Sequence, residues 1–443
     1  MDRIRSRITV LLSALILLLP GIIHAQPVEL TLKDALNYAI KNNIDVKKAK
    51  LAVERGRYKT EEVRSQALPQ ITGSGALSYS PIVGQLVIDT LIFQMGRPWN
   101  SSVGVQLSQQ LFNQQVFTGL KASEASEDYY LLNQELSEEQ IIERVSGIYY
   151  QVLLNRAQLA VIDSNIKSTT RIEKMIADQY KNGLARRIDL DRVKVNLTNL
   201  NTQLDQLKNA ILQQELQLKY YMGMPIKTDI RIPEVEINTI ELNASITDTV
   251  NYRGRTEFMI LKKQEDLLNL QEKAYKAEYY PSLSLTSNYT YTGMSNKFDL
   301  YKSGGSSYWY DAASIGLSLH IPVFNGFATR SRVRQARVDI LENRENQLNT
   351  IEALNMANEN AKIQIRNSIN TIHTQRENVK LAEEVYNSTQ NNYKNGLSTL
   401  TDLLDAENSL TSAKNSYNQA LLNYKIAEIQ LLKSNGNIKS LLN

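Results

Sequence analysis

The sequence contains no cysteine. That excludes a disulfide framework, a thiolate metal site and a cysteine nucleophile, and with them the lipidated N-terminal cysteine that tethers many exported envelope proteins. Histidine is scarce as well, with three in 443 residues. No Gly-x-Ser-x-Gly, His-Glu-x-x-His or phosphate-binding loop is present, so the chain reads as no enzyme and asks for no cofactor. An excess of one charge sign is missing too. Lys+Arg 50 against Asp+Glu 46 leaves a net charge of +4, too small and too mixed for a nucleic-acid partner. Beyond residue 25 no uncharged apolar run reaches the roughly 18 residues of a membrane-spanning helix. The best candidate, residues 82–95, is short, contains Asp89 and follows Pro81. A chain of this kind can cross a membrane only with β-strands closed into a barrel.

What is present begins with an export signal over residues 1–25. Arg3, Arg5 and Arg7 precede an apolar run over residues 8–23, and Ala25 ends a small-residue cleavage site. The other reading, a membrane anchor, is opposed by Pro20-Gly21 inside the run and by Gln26-Pro27 after it.

The chain then says the same thing twice. Tyr180-Lys181-Asn182-Gly183-Leu184 recurs as Tyr393-Lys394-Asn395-Gly396-Leu397, 213 residues later (393 − 180). Pro69 matches Pro281, Phe112-Asn113 matches Phe324-Asn325, and Gly223 matches Gly436 at nearly the same step. Ordered landmarks at one offset mark an internal duplication. Repeat 1 covers residues 26–238, with a helix, strands at about 70–79 and 101–111, a long helical hairpin at about 114–222 and an extended connecting segment. Repeat 2 covers residues 239–443, with a helix, strands at about 282–292 and 312–323 and a helical hairpin at about 326–433.

The strands alternate. Ile71, Gly73, Gly75, Leu77 and Tyr79 share one face, against Thr72, Ser74, Ala76 and Ser78. Leu283, Leu285, Tyr289 and Tyr291 face away from Ser284, Thr286, Asn288 and Thr290. Barrel strands between lipid and water alternate in this way, and so do half-buried soluble hairpins. The first helix is expected to run from its Thr31 N-cap through Ala67, and residues 80–100 to form a long loop.

The remaining helices carry sustained heptads. Leu403, Leu410, Tyr417, Tyr424 and Leu431 are seven apart, as are Ala406, Ala413, Ala420 and Ala427, a coiled-coil pattern with one seam narrow enough for close approach. Two hairpins supply four strands per chain, but bacterial membrane barrels need at least about eight. Either the hairpins are soluble, or several chains pool their strands.

Here the sequence resembles the TolC-like family of outer-membrane efflux proteins, across essentially the whole mature chain. The carriers are Leu30-Thr31-Leu32-Lys33-Asp34-Ala35-Leu36, a proline before strands one and three, Phe-Asn after strands two and four, and Gly223-x-Pro225. The most specific is Tyr393-x-x-Gly396 followed by Asp402, Leu403, Asp405, Ala406, Leu410 and Ala413. The resemblance implies an α+β membrane protein: a homotrimer whose twelve-stranded outer-membrane β-barrel, four strands per chain, continues into a long periplasmic α-helical coiled-coil barrel. It further implies outer-membrane lipid around the strands, a periplasmic adaptor (membrane fusion) protein and an inner-membrane transporter of RND or ABC type.

The same resemblance assigns candidate residues. Asp402 and Asp405, three apart on one helix face, would ring a periplasmic constriction together with Tyr393 and, from the first repeat, Asp189. Such carboxylate rings favour cations, and crowding raises their pKa values. Without the resemblance, Asp402 reads as a first-turn aspartate at a helix N-terminus. Gly183, Leu184, Gly396, Leu397 and Ser398 would form the adaptor-docking turns. Ser398 stands where the family often carries a basic latch residue, for which Arg186 and Arg187 are the candidate substitutes. Trp99, Trp309, Tyr289 and Tyr291 would join an aromatic girdle. The expected function is a passive exit duct for small molecules. A duct for type I protein secretion or metal export, or a soluble periplasmic coiled-coil scaffold, are the alternatives.

Overall fold

The computed structural model describes residues 28–233 and 251–442. The expected signal, residues 1–25, lies outside them, as do the repeat boundary at 238 and most of the extended connecting segment.

In chain order the elements are β1 (Val28–Glu29), α1 (Leu32–Asn42), α2 (Ile44–Ser65), β2 (Gln70–Tyr79), β3 (Gln85–Ile88), β4 (Leu91–Gln94) and β5 (Trp99–Phe112). Then come α3 (Gln114–Lys181), α4 (Arg187–Met222), β6 (Ile230–Arg231), α5 (Thr256–Ala277), β7 (Ser282–Ser295), β8 (Tyr308–His320), α6 (Ala328–Lys394) and α7 (Leu400–Ser434).

Thr31 caps α1, its hydroxyl accepting from the Asp34 backbone N–H. The helix expected to run on to residue 67 breaks at Asn43. The buried Asn43 side chain accepts from the N–H groups of Asp45 (2.7 Å) and Val46 (3.2 Å), and its amide donates to the Tyr221 carbonyl at 2.6 Å. Those bonds restart the helix as α2 and pin the joint to the end of α4. There Gly223 sits at φ 69°, where any Cβ would run into the Asn42 backbone. The expected loop over residues 80–100 also differs. It holds the β3–β4 hairpin, in register Leu86↔Phe93 and Ile88↔Leu91, and Trp99 already belongs to β5. Cross-strand apolar pairs favour that hairpin over an irregular loop.

Helices α3 (68 residues) and α6 (67 residues) are each about 100 Å long at about 1.5 Å rise per residue. Next to the sheet the helices pack in the order α2–α3–α5–α6, and toward the far end in the order α4–α3–α7–α6. A waist core joins the two tiers: Leu36, Ala39, Ile142, Val145, Tyr149, Leu218 and Met222 are buried together, with the parallel β1–β6 pair alongside. On α7 the heptad positions Ala420, Tyr424, Ala427 and Leu431 bury against Ala361, Ile365 and Ile372 of α6. The small residues let Tyr424 lie fully inside the seam. Glu265 of α5, nearly buried, accepts bonds from Lys262, Arg344 and Gln347 and so ties α5 to α6. These bonds depress its pKa to about 2.

The four long strands form one antiparallel sheet in the order β2-β5-β7-β8. Its register sorts the side chains by face. Ile71, Leu77, Val103, Val105, Leu285, Tyr289, Ile315, Leu317 and Leu319 fall on one side. The other side carries Thr72, Ser74, Gln106, Asn288, Thr290 and Ser318, and none of its strand positions is Asp, Glu, Lys or Arg. Among the described residues only the loop after β7 touches the apolar side, at one end, and no element covers the rest: Ile315 is 80 % exposed and Leu317 66 %. A half-buried soluble sheet covers its apolar face, whereas a membrane strand leaves that face to lipid.

Candidate functional site

The far ends of both helical hairpins close in the same way. The chain after α3 turns through Gly183 at φ 78°, and after α6 through Gly396 at φ 75°. The Leu184 N–H donates to the Gln179 carbonyl and the Leu397 N–H to that of Asn392, both at 2.8 Å. This six-to-one bond needs a left-handed residue before it, which glycine adopts without strain. Leu184 and Leu397 are left 80 % and 77 % exposed, while Ser398 is half-buried. Just behind the turns, Ile172, Ile176, Leu190, Val193, Leu400, Leu403 and Leu404 form one core shared by both hairpins, with Tyr393 packed on it.

Around that core the structure gathers the carboxylates. Arg186 donates from Nε to Asp189 Oδ2 at 3.0 Å and from Nη2 to Oδ1 at 3.2 Å, and these bonds hold the Asp189 carboxyl below its ordinary range. Burial, reinforced by the Asp189 charge from the other hairpin, pushes up the pKa of the Tyr393 hydroxyl. Asp402 closes a capping box. It accepts from the Thr399 backbone N–H at 2.8 Å while its own N–H donates to the Thr399 hydroxyl at 3.2 Å. Within the chain those bonds lower its pKa. Asp405 lies on the exposed side of α7, one turn on.

The candidate latch residues Arg186 and Arg187 pair instead with Asp189 and Asp191 at the start of their own helix. At this end Arg192 crosses between the hairpins, its Nη1 donating to Thr401 Oγ1 at 2.5 Å. The sequence held one sign of it: Arg192 occupies the repeat-1 position that matches Asp405.

A second group that sequence reading passed over is Glu407, four residues after Leu403 and facing the α3–α7 seam. It is 4 % exposed. Oε2 accepts from Thr169 Oγ1 at 3.2 Å, and Oε1 has no hydrogen-bond partner among the described residues. Thr169 and Thr411 both reach Asn165, so a polar chain links the two coils. Burial raises the Glu407 pKa against the opposing pull of Ser168, Thr169 and Arg171. A raised acid pKa means the unfolded carboxyl ionises first. Stability therefore falls as pH climbs from the ordinary carboxylate value to the raised one, and then levels. Glu407→Gln should melt with the wild type at pH 4 and above it at pH 7 in detergent. A lower melting point at pH 7 would mean that the charge stabilises the joint.

At the other end of the molecule all four girdle candidates lie on the apolar sheet face. Trp99 packs between Tyr79 (4.6 Å) and Phe298 (4.7 Å), both rings tilted against it. Trp309 lies against Tyr291 at 4.9 Å and over Gly293, where a Cβ would come within 2.5 Å of the ring. Its indole N–H donates to the Leu300 carbonyl at 3.1 Å, so the loop after β7 shelters it, while Tyr289 and Tyr291 stay exposed. Among the described residues no group of three or more His, Asp or Glu stands together as a metal site.

The model of the family described as outer membrane efflux protein matches residues 35–224 and 261–437. Nodulation protein T of Rhizobium leguminosarum bv. trifolii is 23 % identical over 392 residues, 86 % of this chain and 80 % of that protein. Outer membrane protein TolC of Escherichia coli is 22 % identical over 421 residues, 90 % of this chain and 80 % of that protein. The crystal structure of outer membrane protein VceC from Vibrio cholerae superposes with a TM-score of 0.73 at 15 % identity, over 91 % of this chain and 96 % of that one. At such identity the last likeness establishes a shared fold.

Proposed function

From the premise that this chain belongs to the outer membrane efflux protein family, we propose that three copies form the outer-membrane exit duct of a tripartite pump. The family makes it an outer-membrane channel protein with a periplasmic extension, not an enzyme. The reading extends this to a homotrimer with a twelve-stranded barrel and a helical tunnel below it. Small molecules would pass from a periplasmic adaptor and an RND or ABC transporter to the exterior.

The observation that carries the reading is the uncovered apolar face of an open sheet. Among the described residues strands β2 and β8 each have one unpaired edge, and an open edge is untenable in lipid. The helical tiers end likewise. Helix α2 exposes Ile44, Leu51 and Tyr58, seven apart, and α6 exposes Val338, Leu341 and Leu348. One edge of each tier comes from the first repeat and the other from the second. Copies that pair unlike edges head to tail close into a ring. Leu184 and Leu397, exposed at the far turns, are the apolar contacts we assign to the adaptor.

Asp402, Asp405, Asp189 and Tyr393 are assigned to the constriction, with the Arg192–Thr401 bond holding the hairpins together there. Replacing Asp402 and Asp405 by Ala in every copy should raise single-channel conductance in planar bilayers at least about twofold, since removing fixed charge and bulk widens the narrowest ring. Unchanged conductance would move the constriction elsewhere.

A further inference from the structure

Beyond the outer end of the sheet, the β3–β4 hairpin holds apolar side chains that no described residue covers. Leu86, Val87, Ile88, Leu91, Ile92 and Phe93 are 45–64 % exposed, and they fall on both faces of the ladder. Lipid does not supply the cover. The ten residues of β2, tilted at about 40°, climb about 25 Å, the height of the whole lipid band. The aromatic pair Tyr79↔Trp99 stands at their outer end, and the hairpin begins past it. A two-stranded hairpin alone in water is marginally stable, and a contiguous apolar patch marks a contact surface.

The hairpin continues the β2–β5 ladder. Five residues join β2 to β3 and four join β4 to β5, so the two ladders slip by a single residue. Between them the Ser80 N–H donates to the Pro98 carbonyl at 2.7 Å, and the Met95 N–H to the Gly84 carbonyl at 2.8 Å. Arg97 donates to the Ser306 carbonyl, which fixes the β4 side against the chain's own β7–β8 loop. Among the described residues β3 pairs only with β4, so its other edge is free, in line with the free edge of β2.

The internal duplication points to what lies along that edge. Strand β5 pairs with β7 in the register Val103↔Tyr291 and Gln106↔Asn288. A step of 212 residues, that of Phe112 to Phe324, carries β5 onto β8 and β7 back onto β2. The same register between copies sets Ile315 opposite the next copy's Tyr79, and Ser318 opposite its Ala76. There β2 ends, while residues 308–314 of β8 run on past it. Five residues on from Tyr79, β3 comes level with Tyr308 and Tyr310, which are exposed with their rings 6.1 Å apart.

We propose that β3 of each copy adds to the outer end of β8 in the next copy, so that the hairpin is a clasp across the barrel seam, outside the membrane. Its apolar side chains pack on Tyr308 and Tyr310. Strand addition pairs the backbone groups of two free edges, and aromatic–aliphatic pairs across strands add to it. The occupant of the apolar hairpin is therefore a second copy of this chain. This rests on the duct reading above, in which unlike edges meet.

The test is disulfide trapping in intact outer membranes, in a chain with no cysteine of its own. Opposite residues of an antiparallel ladder have Cα atoms about 4.5–5.5 Å apart, within disulfide reach. Tyr308→Cys is combined in turn with Gln85→Cys, Leu86→Cys and Val87→Cys, which spans the one-residue slip. On oxidation at least one combination should give covalent dimers and trimers on denaturing gels. Within one chain β5 and β7 separate β2 from β8, so a link marks two copies. The pair Ala76→Cys/Ser318→Cys reports the seam itself. Links at the seam with none at the clasp would overturn the inference and leave the duct reading standing. Copies linked by Asp89→Cys alone, at the hairpin tip, but by no clasp pair would turn the hairpins toward one another and overturn it too. No link at either place would sink the duct reading and the inference with it. Replacing residues 85–94 by Gly-Gly should lower the temperature at which trimers fall apart on gels, and an unchanged temperature would overturn the holding role.

Discussion

Ile315→Arg should cut the yield of folded protein in the outer membrane at least about tenfold, while Ser314→Arg, its neighbour on β8, stays within about twofold of the wild type. The two positions differ only in face. Ile315 pairs with Ser287 on the apolar side and Ser314 with Asn288 on the polar side. Both lie near the middle of β8, hence near the middle of the expected lipid band. An arginine facing lipid at that depth costs about 2–4 kcal/mol per copy, and about 1.4 kcal/mol is already a factor of ten. A lumen-facing arginine keeps its water. The result discriminates because Ile315 is 80 % exposed: on a soluble scaffold an arginine there would be tolerated as well as one at 314. Equal yields of the two variants would remove lipid from the account of this sheet.

Gly223→Ala should abolish assembly, and Gly183→Ala should not. Both glycines have positive φ, 69° and 78°, and an L-residue in that conformation costs about 1–2 kcal/mol. The surroundings separate them. A Cβ on Gly223 would lie 2.3 Å from the Asn42 carbonyl oxygen and 2.7 Å from its carbon, whereas none of the described residues stands within 4 Å of one on Gly183. The obstacle at 223 is backbone, fixed by the Asn43 amide bonded to Tyr221. Relief would break the α1–α2 joint or open the waist, adding about 1–3 kcal/mol of overpacking in each copy. Heat-resistant trimer on gels is the readout. Wild-type amounts of Gly223→Ala trimer would mean the waist is softer than its packing suggests.

What could be read without coordinates follows from what is local. Period-two alternation announced strands, because each β residue reports its own face. The heptads of α7 announced a coil, and the Asn-Gly pairs announced left-handed caps. Family likeness followed from those landmarks, and the family match bears it out. The break at Asn43 was only half legible: its cap bonds to Asp45 and Val46 are local, but the Tyr221 carbonyl that pins it lies 178 residues away. The β5–β7 pairing that joins the two hairpins into one sheet has no local signature either. Nor do the partners of Arg192 and Glu407, which the packing of α3 and α4 against α7 decides. The sequence reading took the crowding of Asp402 from the assembled ring, whereas the bonds within the chain are those of a helix cap.

The most direct measurement is the mass of the detergent-solubilised protein after inner and outer membranes are separated. The account predicts an outer-membrane species of about three chain masses, as pooled four-strand sheets require. A protein recovered in buffer without detergent as a monomer or dimer would contradict it and leave the helices as a soluble scaffold.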